Sequence, residues 1–368
     1  MLRPTIRLGR IAGVEVGVHW SLLVIGALLA SSLAGGLLPA LVPDAGGSYW
    51  AAAVLATGLF FASILGHELA HALVALRRGQ RVEGITLWLM GGVARLRDEA
   101  RDARSELLVA LAGPGASVGI GVAFLALGAL AGAALPSGSL LPAVASYVGA
   151  VNLLLAAFNL LPGAPLDGGR VLAGLLWWWH GDRRRAQIAA ARAGRAVGAL
   201  LVAVPVVQLL AGGGLNPWLA LVGWFVIDAS RAEEAQARVA RRMDGLRIGD
   251  LLPRPQPTAP AWVTVEALHA AHPHDATVVL TDFAGAPAAV VAVPVPGPVP
   301  PWARARDVAV PLAALAVLAP DAPAVAALHE GVPVLVVDGD GRVLGAVGAA
   351  ELRRAGVPGP GPLAGAPG

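Results

Sequence analysis

The sequence predicts a polytopic α-helical membrane protein, about six transmembrane helices followed by a cytoplasmic α/β domain. Three observations carry that expectation. Of 368 residues, 56% are hydrophobic and only 14% are charged, whereas a soluble domain carries about one-quarter charged residues. Six apolar segments, near 18–42, 49–76, 107–134, 143–179, 196–212 and 216–229, approach the roughly 20 residues that cross a bilayer. The arginines between them alternate from loop to loop.

The N-terminal tail holds Arg3, Arg7 and Arg10. No small-residue cleavage site follows a short apolar core, so it reads as retained. After the first segment, loop 43–48 contains no Lys or Arg. After the second, loop 77–106 carries Arg77, Arg78, Arg81, Arg95, Arg97, Arg101 and Arg104. Loop 135–142 is again uncharged. The fourth segment is too long for one span and is interrupted by "NLLPGAPLDGG", whose prolines and glycines break a helix. It is followed by the basic run "DRRRAQ". Loop 211–216 has no Lys or Arg, and "RAEEAQARVARR" follows the sixth segment. The fifth and sixth segments are short and lean on their flanks. By the positive-inside rule both termini lie in the cytoplasm; a compact, untargeted chain of this kind is expected in the plasma membrane.

From Leu246 onward the composition changes: prolines multiply and β-branched runs alternate with alanine-rich stretches. This divides the chain into a membrane domain at 1–230, a basic linker at 231–245, an α/β domain at 246–356 and a disordered Pro/Gly tail at 357–368. Within the α/β domain, "VVLTDFAGAPAAVV" (278–291) aligns with "VLVVDGDGRVLGAV" (334–347). Asp282 then pairs with Asp338 and Gly285 with Gly341, which suggests a tandem repeat of strand, glycine turn and strand.

Some chemistries are excluded. The chain has no cysteine, hence no disulfide and no thiolate metal site. A formal net charge of +3 gives no reason to expect nucleic acid.

The stretch "ILGHELAHAL" (64–73) sets His67, Glu68 and His71 in apolar surroundings. Four residues apart on a helix, the two imidazoles lie one turn apart on one face, the separation at which both reach one zinc ion. Glu68 projects beside that face and can reach a water at the metal without displacing a ligand. Ionisable groups in a bilayer are costly enough to mark functional sites by default. If the second span starts near Tyr49, His67 lies about 27 Å along it, and Arg77 lies about 15 Å further. The motif is therefore intramembrane, towards the cytoplasmic side, and water reaches it from there. A catalytic zinc takes three protein ligands and leaves one position open. The candidate for the third is Asp167, at the helix break "PLDGG", because broken helices at membrane depth line cavities or are buried in protein. Asp228 is the rival, beside a basic segment; His19 and His180 flank spans at the interface. Finally, "LWLMGGVARL" (87–96) is apolar but too short to span. Its Gly91–Gly92 pair favours a hairpin, which either offers a strand edge to an unwound substrate or lies as an interfacial loop.

The paired motifs "HELAH" and "NLLPGAPLDGGR" resemble those of the site-2 protease family of intramembrane zinc metalloproteases. "GVHWSLL", "LMGGVARL" and "LAGPGASVGIGVA" fit the same pattern in the same order, so the resemblance covers about residues 8–230. It implies one zinc ion on His67, His71 and Asp167, Glu68 as catalytic base, and Asn159 holding substrate or stabilising the oxyanion. It also implies cleavage of single-span membrane proteins, such as a membrane-bound anti-sigma or transcription factor, within the lipid. The C-terminal domain resembles a degenerate pair of cystathionine-β-synthase (CBS) domains. That likeness implies adenine-nucleotide binding that gates access, and a homodimer formed through the domain; the alternative is a cap serving assembly or stability. Two competing readings are a transporter or channel, since broken helices with an acidic residue also mark ion paths, and a protease-like scaffold without catalysis.

Overall fold

The computed structural model describes residues 5–43, 45, 48–88, 91–96, 99–213 and 217–357. Arg3, Arg97 and the tail beyond Val357 lie outside them. The chain divides into two compact units, Met1–Ala235 and Gln236–Gly368.

The first unit opens with an antiparallel hairpin, β1 (Ile6–Ile11) and β2 (Val14–Val18). Helix α1 (Ser21–Ser32) then runs through a π-helical turn, Leu33–Leu37, into α2 (Leu38–Leu41), giving one apolar rod from Ser21 to Leu41. Helix α3 (Tyr49–Arg77) carries the HELAH motif in its last third. Its buried face includes Ala52, Ala53, Ala56, Ala72 and Ala75, small residues that let neighbouring helices approach closely. A second antiparallel hairpin follows, β3 (Val82–Trp88) and β4 (Gly91–Leu96), with Trp88 opposite Gly91. β2 and β3 pair in parallel, Val16 opposite Ile85, so the four strands form one sheet in the order β1-β2-β3-β4. Val14, Ile85 and Leu87 of this sheet share a core with Leu22 of α1 and Ala72 of α3. That packing sets the edge strand β4 beside the motif.

Helix α4 (Ala103–Ala134) is capped by Asp102, whose carboxylate accepts from the Ser105 amide at 2.8 Å. α5 (Leu141–Asn159) is followed, after the break at 160–166, by α6 (Asp167–His180). The break folds over the first turn of α6. A Cβ at Gly168 would lie 2.3 Å from the Leu161 carbonyl oxygen, and one at Gly169 would lie 2.1 Å from the Ala164 nitrogen. Only a pair without side chains lets this loop close over Asp167. The break is held to the next helix, α7 (Arg183–Leu210), by the Ala164 amide donating to Ala190 O at 3.2 Å.

Among the described residues, five helices are long and apolar enough to cross a membrane: Ser21–Leu41, Tyr49–Arg77, Ala103–Ala134, Leu141–Asn159 and Arg183–Leu210. They correspond to the first five of the six apolar segments expected to span. The sixth apolar segment forms the start of α8 (Pro217–Met243), which meets Asp228 and Arg231 near its midpoint and turns strongly polar. α6 is a further short helix, the second half of the interrupted fourth segment. Residues 231–243, expected as a linker, continue α8.

The second unit is mixed α/β. After the short helix α9 (Ile248–Leu251) come β5 (Thr258–Pro260), α10 (Val265–Ala271), β6 (Ala276–Thr281), β7 (Pro287–Val293), α11 (Ala305–Val308) and β8 (Val310–Pro311). These strands form a sheet in the order β5-β6-β7-β8. A second sheet, β11-β10-β9, is built from β9 (Ala316–Leu318), β10 (Val334–Val337) and β11 (Val343–Val347), with α12 (Ala326–Glu330) and α13 (Ala349–Arg354). Val279, Val290, Leu315, Leu335 and Ala346 join the two sheets. The hairpins β6–β7 and β10–β11 turn alike. Asp282 Oδ1 accepts from the amides of Ala284 and Ala286, and Asp338 Oδ1 accepts from those of Asp340 and Arg342. Gly285 and Gly341 complete the turns at φ 80° and 79°, the left-handed region that glycine enters freely.

Candidate metal centre

His67 and His71 sit one turn apart on α3, both buried, with their Nε2 atoms 3.2 Å apart. Asp167, the first residue of α6, places Oδ2 3.1 Å from His67 Nε2 and 3.2 Å from His71 Nε2. Three donor atoms thus form a nearly equilateral triangle. A tetrahedral zinc with bonds of about 2.1 Å requires ligands about 3.4 Å apart, so the triangle fits that ion with a small expansion.

The far side of the His71 ring supports the same assignment. His71 Nδ1 is 2.7 Å from the Val109 carbonyl oxygen, which can only accept. Nδ1 therefore carries the proton, and in the neutral ring Nε2 turns a lone pair towards the centre. His67 Nδ1 is 2.9 Å from Ser117 Oγ. The His71 Nε2 lone pair faces the Asp167 carboxylate oxygen at 3.2 Å, a repulsion that a cation between them relieves. Metal-bound histidines characteristically donate their other N–H to a carbonyl or similar acceptor, as His71 does.

Gly113 of α4 faces the same point. A Cβ there would lie 2.1 Å from His71 Nε2 and 2.6 Å from His67 Nε2. The glycine keeps open the volume beside both ligand atoms. Val109, Gly113 and Ser117 recur every four residues, so a single stripe of α4 backs both histidines.

The ligands open into a cavity of about 530 Å³. Glu68 lines it, as do Gly91 and Gly92 of β4 and Asn159 at the end of α5. Phe158, Trp218, Leu221 and Phe225 supply apolar walls. A Cβ at Gly92 would lie 2.3 Å from Glu68 Cγ, so the strand backbone rests against the Glu68 side chain. β4 is an edge strand, paired with β3 on one side only.

Among the described residues, His67, His71 and Asp167 are the metal-capable cluster. Asp228, the rival third ligand, is not part of it. His19 Nδ1 lies 2.8 Å from Ser21 Oγ, and His180 Nδ1 lies 3.1 Å from Leu176 O, both away from the centre. The sequence reading missed Val109, Gly113 and Ser117, and the wall that α8 provides. Their signal is faint: a glycine and a serine four apart in "LAGPGAS", which also suits simple helix packing.

The chain is similar to known proteins. The profile of peptidase family M50 matches residues 55–143 and 132–203. The protein named zinc metalloprotease Rip3 in Mycobacterium tuberculosis is 39% identical over 378 residues, covering 96% of this chain and 93% of its own length. The zinc metalloprotease sll0528 of Synechocystis is 34% identical over 268 residues, covering 72% of this chain and 69% of its own. Among solved structures, the site-2 protease from Methanocaldococcus jannaschii is 30% identical, covering 62% of this chain and 94% of its own, with a TM-score of 0.42.

Proposed function

This chain belongs to peptidase family M50 and is an intramembrane zinc metalloprotease of the site-2 type, and we propose on that premise that Glu68 is its catalytic base. The observation that carries the reading is the convergence of His67, His71 and Asp167 from two separated helices, with His71 fixed in the ligating tautomer. The transporter reading leaves that arrangement unexplained.

His67, His71 and Asp167 would hold the zinc, which when bound would supply a Lewis acid and lower the pKa of water towards about 7. Glu68, one residue after His67 and lining the same cavity, takes a proton from the attacking water and passes it to the leaving amine nitrogen. The Asn159 side-chain amide donates to the oxyanion that develops on the scissile carbonyl. A peptide bond in a helix is shielded by its own hydrogen bonding, so the substrate must unwind. The free edge of β4 accepts the unwound segment by strand addition. Gly91 and Gly92 let that backbone run close to Glu68.

Site-2 proteases cleave membrane-anchored proteins, and this chain is a multi-pass membrane protein. The finer reading is a single-span substrate, such as an anti-sigma or transcription factor, cut in the plasma membrane. The loop arginines support a cytoplasmic position for both termini, with the apolar start of α8 as the sixth crossing. We read residues 246–356 as a CBS-like tandem repeat; the identical aspartate turns 56 residues apart support this. Adenine-nucleotide binding there would appear as heat on titrating the full-length protein with ATP or AMP, and no heat would remove it. Self-association through this unit is favoured by the exposed aromatics Phe283, which stacks on the half-buried Trp262, and Trp302, near in sequence to Arg304, which bonds Trp262 O.

The test of the catalytic reading is zinc content and cleavage of a model transmembrane substrate by purified wild type and Glu68→Gln. Zinc should stay at one per chain while cleavage falls by about 10²–10⁴-fold. Absence of zinc in wild type, or undiminished cleavage by the variant, would overturn it.

A further inference from the structure

The stripe of α4 that backs the histidines extends one step further. Glu106, Val109, Gly113 and Ser117 recur at three- and four-residue intervals, so they share one face. Val109 and Ser117 hold the two Nδ1 atoms, and Gly113 faces the two Nε2 atoms. Glu106 is also buried, but its partners are arginines. Arg170 Nε donates to Glu106 Oε1 at 3.1 Å, and Arg183 Nη2 lies 3.8 Å from Oε2.

Arg170 stands three residues after Asp167 on α6, close to one helical turn, and so on nearly the same side of that helix. The N-cap of α6 is Leu166, which offers no side-chain bond to the first turn. The rotation of that turn about its axis decides whether Asp167 Oδ2 meets both imidazoles. The Arg170–Glu106 pair ties the turn to α4, the helix that also holds both histidines. Its side chains are 30% and 12% exposed, so solvent screens it less than a surface pair.

We propose that the Glu106–Arg170 ion pair positions the third zinc ligand. It locks α6 in the rotation that brings Asp167 to His67 and His71, so that all three ligands are set from one face of one helix. Neither residue touches the metal; each acts through Asp167. This deepens the reading of the centre above and rests on it.

The experiment is a double-mutant cycle on full-length protein in detergent, with Glu106→Gln, Arg170→Gln and the pair combined. Zinc affinity is read by chelator competition, and the fold by size-exclusion profile and thermal unfolding. Outer contacts of this kind typically hold 10–100-fold in metal affinity. Each single variant should weaken zinc binding by about tenfold or more, and the double variant should match the weaker single rather than multiply the two losses. Arg170→Lys, which keeps the charge, should fall between wild type and Arg170→Gln. Multiplicative losses, or zinc affinity unchanged in a folded Glu106→Gln, would overturn the proposal. So would a rise in KM for Arg170→Gln with zinc affinity intact, because Arg170 would then contact substrate directly. If wild type itself binds no zinc, it is the centre that fails, a different outcome from these.

Discussion

Replacing Gly113 with alanine adds one methyl group where the structure leaves least room for it. The new Cβ would stand 2.1 Å from His71 Nε2 and 2.6 Å from His67 Nε2. Real Cβ contacts do not fall below 3.0 Å, so the gaps must widen by 0.9 Å (3.0 − 2.1) and 0.4 Å (3.0 − 2.6). Metal–ligand distances tolerate about ±0.2 Å, so the displacement is several times the permitted error. The rings cannot simply swing aside, because their Nδ1 atoms are tied to Ser117 and Val109 on the same helix. Relief requires breaking one of those bonds or withdrawing α4, and either alone costs about 10–100-fold in affinity. Gly113→Ala should therefore bind zinc at least about 100-fold more weakly and purify nearly metal-free. The assay is zinc per chain by atomic absorption, followed by chelator competition. Gly115→Ala serves as control, since nothing lies within 4 Å of its Cβ. A Gly113→Ala protein with one zinc per chain and wild-type affinity would refute the geometry of the centre.

Three further outcomes follow from other parts of the structure. Gly92→Ala drives a Cβ to within 2.3 Å of Glu68 Cγ but leaves the ligands alone; it should retain zinc and lose cleavage by about 10²-fold or more, and joint loss of both, or of neither, would contradict the assignment. Glu351, with no exposed side chain, accepts from the Thr277 hydroxyl and from the Gly348 amide at 2.8 Å; Glu351→Ala should destabilise the second unit by about 3 kcal/mol, read by thermal unfolding with zinc content unchanged, and an unshifted transition would refute this. Because the chain lacks cysteine, single cysteines report topology: Ser137→Cys should react with an impermeant maleimide on intact cells and Glu266→Cys only after permeabilisation, the reverse pattern sinking the proposed orientation.

What the sequence made legible was local. HELAH announces itself because two ligands and a carboxylate fall within five residues of one helix. Asp167 was findable because Pro162, Pro165 and three glycines mark a helix break in an apolar run. The repeated turns were findable because a single aspartate and a single glycine perform the same backbone task twice. The supporting face of α4 was not legible, since Val109 contributes only a carbonyl oxygen, which every residue type possesses. Gly113 and Ser117 resemble the small residues found wherever membrane helices pack. The end of the sixth apolar segment was hidden for a related reason: residues 216–229 are apolar, but their helix runs on into charge and reaches Met243.

The sheet has one further consequence. β4 leans on Glu68, yet it gets its footing from β3, which pairs in turn with β2, a strand ahead of every helix. Clipping the first twenty residues would spare all five long helices and the three ligands. It would also strip the ribbon to a lone hairpin, which is marginal in isolation. Such a shortened protein should load metal normally and still cut poorly, its defect arising in sequence nearly fifty residues from the nearest ligand.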